Sequence, residues 1–196
     1  MYPDIPALTI FIIVAAFTPG PNNFLASYSG FNFGIKKTIP LILGVTFGFP
    51  ILLIAINSGL MIVFKQFEIH QEIIKILGSA FLMYLAYKIA TTYQSKERKI
   101  NNPAKFFNML VFQFINPKAV MIAIIMVSTF ISQKENFLRD TFIVVSFAIF
   151  FSFLSILSWT LLGKFLQRFA SNAKFLRIYN YGMSLLLIIC VIMFYI

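Results

Sequence analysis

From Ile5 to Ile35 the chain runs for 31 residues without a charged side chain, and in the middle of that run stands Phe17-Thr-Pro-Gly-Pro-Asn-Asn-Phe24. As one helix the run would be about 46 Å long at 1.5 Å per residue, against roughly 30 Å of hydrocarbon in a bilayer. Pro19 and Pro21 each lack a backbone donor, and each pushes the residue before it out of the α region. Gly20 between them tolerates dihedrals that other residues avoid. The helix must therefore break here, with Asn22 or Asn23 placed to cap its second half. In hydrocarbon an unpaired backbone polar group costs several kcal/mol. Such a break survives at depth only where protein or a water-filled cavity surrounds it.

Five further apolar stretches follow: Ile39 to Phe64, Ile76 to Tyr87, Phe106 to Ile131, Thr141 to Gly163 and Ile178 to Ile196. The third stretch of the chain is short because Lys75 and Lys88 flank it, and lysines snorkel to an interface. Apolar residues make up 60% of the chain and charged residues 11%, where a soluble domain carries roughly 25% charged. The expected fold is all-α: a polytopic membrane protein of six transmembrane helices, the first and fourth broken. The opening Met1-Tyr-Pro-Asp-Ile-Pro has no basic segment and no small-residue cleavage site, so the first apolar segment is expected to be retained. Cys190 lies inside the last stretch and reads as a packing residue.

The net charge of +10 raises the question of nucleic acid, and its distribution answers it. The first, third and fifth connections hold Lys36, Lys37, Lys88, Lys96, Arg98, Lys99, Lys105, Lys164, Arg168, Lys174 and Arg177, eleven in all. The termini and the other connections hold four, Lys65, Lys75, Lys134 and Arg139, together with five of the six acids. By the positive-inside rule the odd connections face the cytoplasm and both termini face outward. The basic residues are topology signals that also meet anionic lipid. No nucleic-acid partner is expected.

The fourth apolar stretch is interrupted by Gln113-Phe-Ile-Asn-Pro-Lys118, 97 residues after the first break in a chain of 196. Each half thus begins with an interrupted helix and continues with two more. Three helices per half force opposite orientations, which is the arrangement of inverted-repeat transporters. The expected division is residues 1–95 as the first repeat, 96–104 as a cytoplasmic linker within the polar run Thr91 to Asn102, and 105–196 as the second repeat. The small-residue pairs Gly30/Gly34 and Gly44/Gly48 permit close helix approach and are compatible with a homodimer. Pro50 is expected to kink the second helix, and Gly44, Gly48 and Pro50 are candidate hinges.

The functional expectation is that Pro19, Gly20, Pro21, Asn22 and Asn23 face Asn116, Pro117 and Lys118 across a central cavity. Freed carbonyls there suit an ammonium or a cation, and half-helix N-termini suit a carboxylate; together they suit a small zwitterion such as an amino acid. The competing structural reading is of kinks sealed by neighbouring helices. Lys118 is the one charge deep in an apolar stretch, where ionisable residues are functional candidates. It could bind a substrate carboxylate or serve as a coupling group, against a structural reading in which it snorkels outward. Gln113, Asn57, Ser58, Ser79, Tyr84, Asn108 and the strip Ser152, Ser155, Ser158 read first as helix–helix hydrogen-bonding groups; of these, Gln113 is also counted among the substrate-binding candidates. His70 reads as a solvated outer-loop residue beside Glu68 and Glu72, and the apolar stretches hold no Asp or Glu. There is no nucleophile–base–acid set, metal-ligand cluster or phosphate loop, so no enzyme activity, metal or cofactor is expected.

Thr18-Pro-Gly-Pro-Asn-Asn-Phe-Leu25, followed by Gly30, Gly34, Gly44 and Gly48, resembles the signature of the LysE/RhtB family of amino-acid exporters. Leu77-Gly-Ser-Ala-Phe-Leu-Met-Tyr-Leu-Ala-Tyr-Lys88 is similar to that family's third-helix pattern, and Gln113-Phe-Ile-Asn-Pro-Lys-Ala119 to its fourth. The resemblance covers essentially the whole chain. It implies secondary efflux of small amino acids or similar metabolites across the inner membrane, by proton antiport. It also implies that Pro19, Gly20, Pro21, Asn22, Asn116, Pro117 and Lys118 belong to the transport site. The alternatives are a transporter of another solute or cation, a non-transporting accessory subunit, and a thiol-disulfide electron carrier of similar architecture. The last needs paired cysteines, and the chain has one.

Overall fold

A computed structural model describes residues 3–60, 68–91, 103–132, 136–169 and 173–195. Among these residues the chain is helical, with no strand. Seven helices are seen: α1 (Ile5–Phe17), α2 (Pro21–Ala55, continued by a π turn over Ile56–Leu60), α3 (Glu68–Thr91), α4 (Phe106–Ile115), α5 (Pro117–Phe130), α6 (Phe137–Leu166) and α7 (Ala173–Met193). The expected linker at 96–104 lies almost wholly outside the described residues.

Both breaks fall where the prolines require. Helix α1 starts on Asp4, whose Oδ1 accepts from Ala7 N at 3.1 Å, and stops at Thr18 in the residue before Pro19. Pro21 then occupies the first position of α2, where its missing donor is harmless. The second break is a single residue, Asn116, held extended ahead of Pro117. The axes of α4 and α5 differ by 68° across it.

Helix α6 gives the direction of each segment packed on it. Ser155 Oγ donates to Ala16 O at 2.7 Å, the backbone of Ser27 lies against Gly163, and Asn57 Nδ2 donates to Thr141 Oγ1 at 2.9 Å. The partner position on α6 thus climbs between Ala16 and Ser27 and has fallen far back by Asn57. The chain reverses between them, and the cause is Gly34 at φ 76°, ψ 174°, dihedrals that favour glycine. Thr38 ties the bend together, donating to Gly34 O at 2.8 Å and pairing with Ser29 Oγ at 2.9 Å. Pro50, the expected kink, lies inside α2 within helical dihedrals, and the residue of α2 outside them is Gly34.

The other small residues are used for close packing within the chain. A Cβ on Gly44 would stand 2.5 Å from Phe106 O, and one on Gly48 would stand 2.8 Å from Leu110 Cα, both on α4. Gly30 lies against the Thr160 backbone of α6. Three of the four glycines in the small-residue pairs, Gly30, Gly44 and Gly48, thus serve close approach to α6 and α4 within the chain. Helix α3 pairs antiparallel with α7, through Ser79 Oγ to Tyr195 OH at 3.3 Å and Ser184 Oγ to Ala86 O at 2.9 Å.

Two apolar cores result. One gathers Phe24, Phe31, Leu82, Phe112, Met183 and Leu187; the other gathers Leu8, Ile12, Phe49, Met126, Phe130 and Val144. The outer surface is no less apolar, with Phe107, Phe142 and Leu138 largely exposed. In water such a surface would be an aggregation liability; in lipid it is the solvated face. Three helical stretches, Pro21–Gly59, Phe137–Phe169 and Lys174–Met193, are long and apolar enough to cross a membrane, and the bent pair α4–α5 makes a fourth. This is a polytopic membrane protein.

Two expectations about charged residues change. His70 and Glu68 were placed in a loop, but the backbone is already helical there, at the start of α3; the two side chains lie outside the described residues. Asp140 was placed outside the apolar core, yet it is completely buried in the first turn of α6. Its carboxylate accepts from Ser132 N at 3.1 Å and pairs with Arg139 at 3.1 Å. Helix α6 begins four residues before the apolar stretch does, and this turn packs beneath the end of α5.

Candidate functional site

The breaks are answered from inside the chain. Thr18 closes α1, its N–H donating to Val14 O at 3.0 Å. Around it the carbonyls of Ala16, Thr18 and Pro19 have no helical donor, because the chain leaves the helix at Thr18 to Gly20 and the N–H groups four residues on, those of Gly20, Asn22 and Asn23, are turned away from them. Side chains supply the donors. Asn23 Nδ2 reaches back to Ala16 O at 2.8 Å and Thr18 O at 2.9 Å. Lys118 Nζ crosses from α5 to donate to Thr18 O at 2.8 Å and Pro19 O at 3.3 Å. The expected N-cap role of Asn22 or Asn23 is thus not observed: α2 starts on Gly20 without a side-chain cap, and Asn23 caps the end of α1 instead.

Gln113 links the two breaks a second time. Asn22 Nδ2 donates to Gln113 Oε1 at 2.8 Å and Gln113 Nε2 returns a bond to Asn22 Oδ1 at 3.2 Å. Gln113 is fully buried and also donates to Met109 O at 2.8 Å. Gln113, counted among the substrate-binding candidates, ties the two broken segments together.

Beside these bridges lies a small cavity, about 60 Å³ measured as space open to the centres of water molecules. One water needs roughly 10–15 Å³ by that measure, so there is room for several. Its polar rim is Gly20, Asn22, Asn23, Asn116, Lys118 and Ser155, and its walls include Ile12 and Phe49 from one core and Val45 and Ile156 from the other. Asn116 is 2% exposed, and its Oδ1 is buried with no hydrogen-bond partner. It does not cap α5, so the first N–H groups of both α2 and α5 lack side-chain caps at the cavity. The site thus offers cation-binding carbonyls, an orphan amide oxygen, one ammonium and two positive helix ends.

Pro19, Gly20, Pro21, Asn22, Asn23, Gln113, Asn116, Pro117 and Lys118 are thereby brought together; Gly44 and Gly48 face α4 instead, and Pro50 does not line the cavity. Of the serine strip, Ser152 and Ser155 line the cavity while Ser158 is exposed and bonds to Leu154 O at 2.7 Å. A spacing of three falls short of the 3.6-residue turn, so the third serine rotates away. The sequence reading did not single out Gly78. A Cβ there would strike Ile115 O and stand 2.9 Å from the Pro117 ring, so its glycine lets α3 press on the second break. Its signal was its place in the third-helix pattern. Among the described residues no cluster of His, Cys, Asp and Glu could hold a metal.

Two interrupted helices joined to each other in an apolar helical protein, through a part-buried amide pair and with a polar cavity at the join, are the arrangement found in membrane translocators. The comparison with known families specifies it. Residues 13–196 match the model described as LysE type translocator, and the chain belongs to that family; it is a translocator and not an enzyme. It is 29% identical over 189 residues to a cysteine/O-acetylserine efflux protein of Salmonella paratyphi A, covering 95% of this chain and 94% of that one. A protein of the same description from Escherichia coli O1:K1 / APEC is 28% identical over 188 residues, with the same coverage. No solved structure matches the chain.

Proposed function

We propose that the protein is a secondary exporter of small amino acids or closely related metabolites, working by alternating access and driven by proton antiport. Six spans carry it, as two inverted repeats over residues 1–95 and 105–196, with both termini outside the inner membrane. The reversal at Gly34 supports counting α1 with the first part of α2 as one span and the rest of α2 as the next. The lysines near that bend and at the end of α6 support a cytoplasmic assignment for that side.

The observation that carries the reading is the double bridge between breaks, Lys118 to Thr18 and Pro19 with Asn22 to Gln113, beside a cavity holding an orphan acceptor. A substrate carboxylate is drawn to the uncapped starts of α2 and α5 and to Lys118. Its ammonium is taken by Asn116 Oδ1 and by the carbonyls ending α1. Lys118 is also the candidate proton-coupling group. The relatives' descriptions support cysteine and O-acetylserine as first substrates to try. The cavity is narrow, so the two repeats must part to admit and release them, with Gly44, Gly48 and Pro50 as pivots on α4.

The test is efflux of preloaded cysteine and O-acetylserine from cells or proteoliposomes. Pro21→Ala and Asn116→Ala should each reduce it at least tenfold at normal membrane levels. Wild-type rates from both variants would overturn the site, and no efflux of either compound or of other small amino acids would overturn the transport reading.

A further inference from the structure

The Lys118 ammonium sits on the carbonyl pair best suited to a substrate ammonium. Its Nζ donates to Thr18 O and Pro19 O, and its stem lies flat against Gly20, where a Cβ would stand 3.0 Å from both Cδ and Nζ. Thr18 and Pro19 carry no other cation, and the described residues place no carboxylate on the cavity rim. The protein's own side chains thus bring one ammonium to this rim, held by carbonyl dipoles and facing no carboxylate of the described residues.

We propose that Lys118 is a specificity residue that makes the site demand a carboxylate. On Thr18 O and Pro19 O it takes the place that suits a substrate ammonium. An amino acid exchanges with it: the carboxylate draws Lys118 away as its ion pair, and the substrate ammonium takes the vacated carbonyls. The exchange replaces one ammonium by another and leaves no charge unpaired. An amine without a carboxylate cannot complete it, because evicting Lys118 strands that charge in a poorly solvated cavity, and leaving it there sets two cations side by side. The site therefore excludes decarboxylated analogues of its own substrates. The inference rests on reading this cavity as the substrate site.

Purified wild type, Lys118→Gln and Lys118→Met are titrated with L-serine against ethanolamine and L-cysteine against cysteamine, reading the concentration that half-maximally raises the melting temperature. Met keeps the stem beside Gly20 and removes only the charge, so it serves if Gln disturbs folding. In wild type the amino acid is preferred. In both variants the amine should gain and the amino acid lose, shifting their ratio by about tenfold or more, the usual worth of a hydrogen bond to a charged group. A ratio within twofold of wild type, or folded variants that take neither ligand, overturns the proposal. Amine binding gained by the variants while wild type exports no amino acid would sink the exporter reading and keep this one. Wild-type export with an unchanged ratio would do the reverse.

Discussion

Asn22 and Gln113 exchange two side-chain hydrogen bonds, at 2.8 and 3.2 Å, although 91 residues separate them. Each stands within three residues of a helix break, so this reciprocal amide pair fixes the distance between the breaks. Asn22→Ala leaves a buried amide oxygen of Gln113 without its donor. A loss of about 1–3 kcal/mol is expected, read as a melting temperature in detergent lower by roughly 2–12 °C. Replacing both residues by leucine should destabilise less than the sum of the two single changes.

Asn116 should behave in the opposite way. Its Oδ1 has no partner to lose, so Asn116→Ala should change the melting temperature by no more than about 2 °C while efflux falls at least tenfold. Loss of stability comparable to that of Asn22→Ala would mark Asn116 as a structural residue.

Close packing by glycine gives a third contrast. Gly163 lies against the Ser27 backbone and Gly30 against that of Thr160, whereas a Cβ on Gly182 of α7 would meet nothing within 4 Å. Gly30→Ala and Gly163→Ala should each destabilise by about 1–3 kcal/mol or prevent insertion. Gly182→Ala should be neutral or stabilise by up to about 1 kcal/mol through helix propensity. Thermal unfolding of the three variants side by side measures this.

The bend at Gly34 predicts a stronger effect from a β-branched residue. At φ 76° and ψ 174° the backbone is in a region open essentially to glycine alone, so Gly34→Ala should reduce the folded, membrane-inserted yield several-fold and the β-branched Gly34→Val should reduce it further. Quantitative blotting of membrane fractions reads the order.

Much of this arrangement was legible from prolines and charges. Pro19, Pro21 and Pro117 act on their own backbone and their neighbour's, so the breaks at Thr18–Gly20 and Asn116 follow from local chemistry. The meeting of Lys118 with the end of α1 was foreseeable in kind, since freed carbonyls and a buried ammonium each need a partner. Which donor would fill which acceptor was not foreseeable: the backward reach of Asn23 and the Asn22–Gln113 pair depend on how far two helices stand apart. Gly34 resembles Gly44 in sequence, and only the packing on α6 distinguishes the one that bends from the one that is pressed flat. Asp140 looked like an interface residue because charge alone marked the end of the apolar stretch; its burial depends on the Ser132 N–H that it receives.

The bend at Gly34 leaves no slack between neighbouring spans. Two stretches joined through one residue, and stitched by Ser29 and Thr38, cannot slide past each other or swing apart as stretches on a long tether can. They form a stiff V, so that any tilt of one arm must carry the other with it.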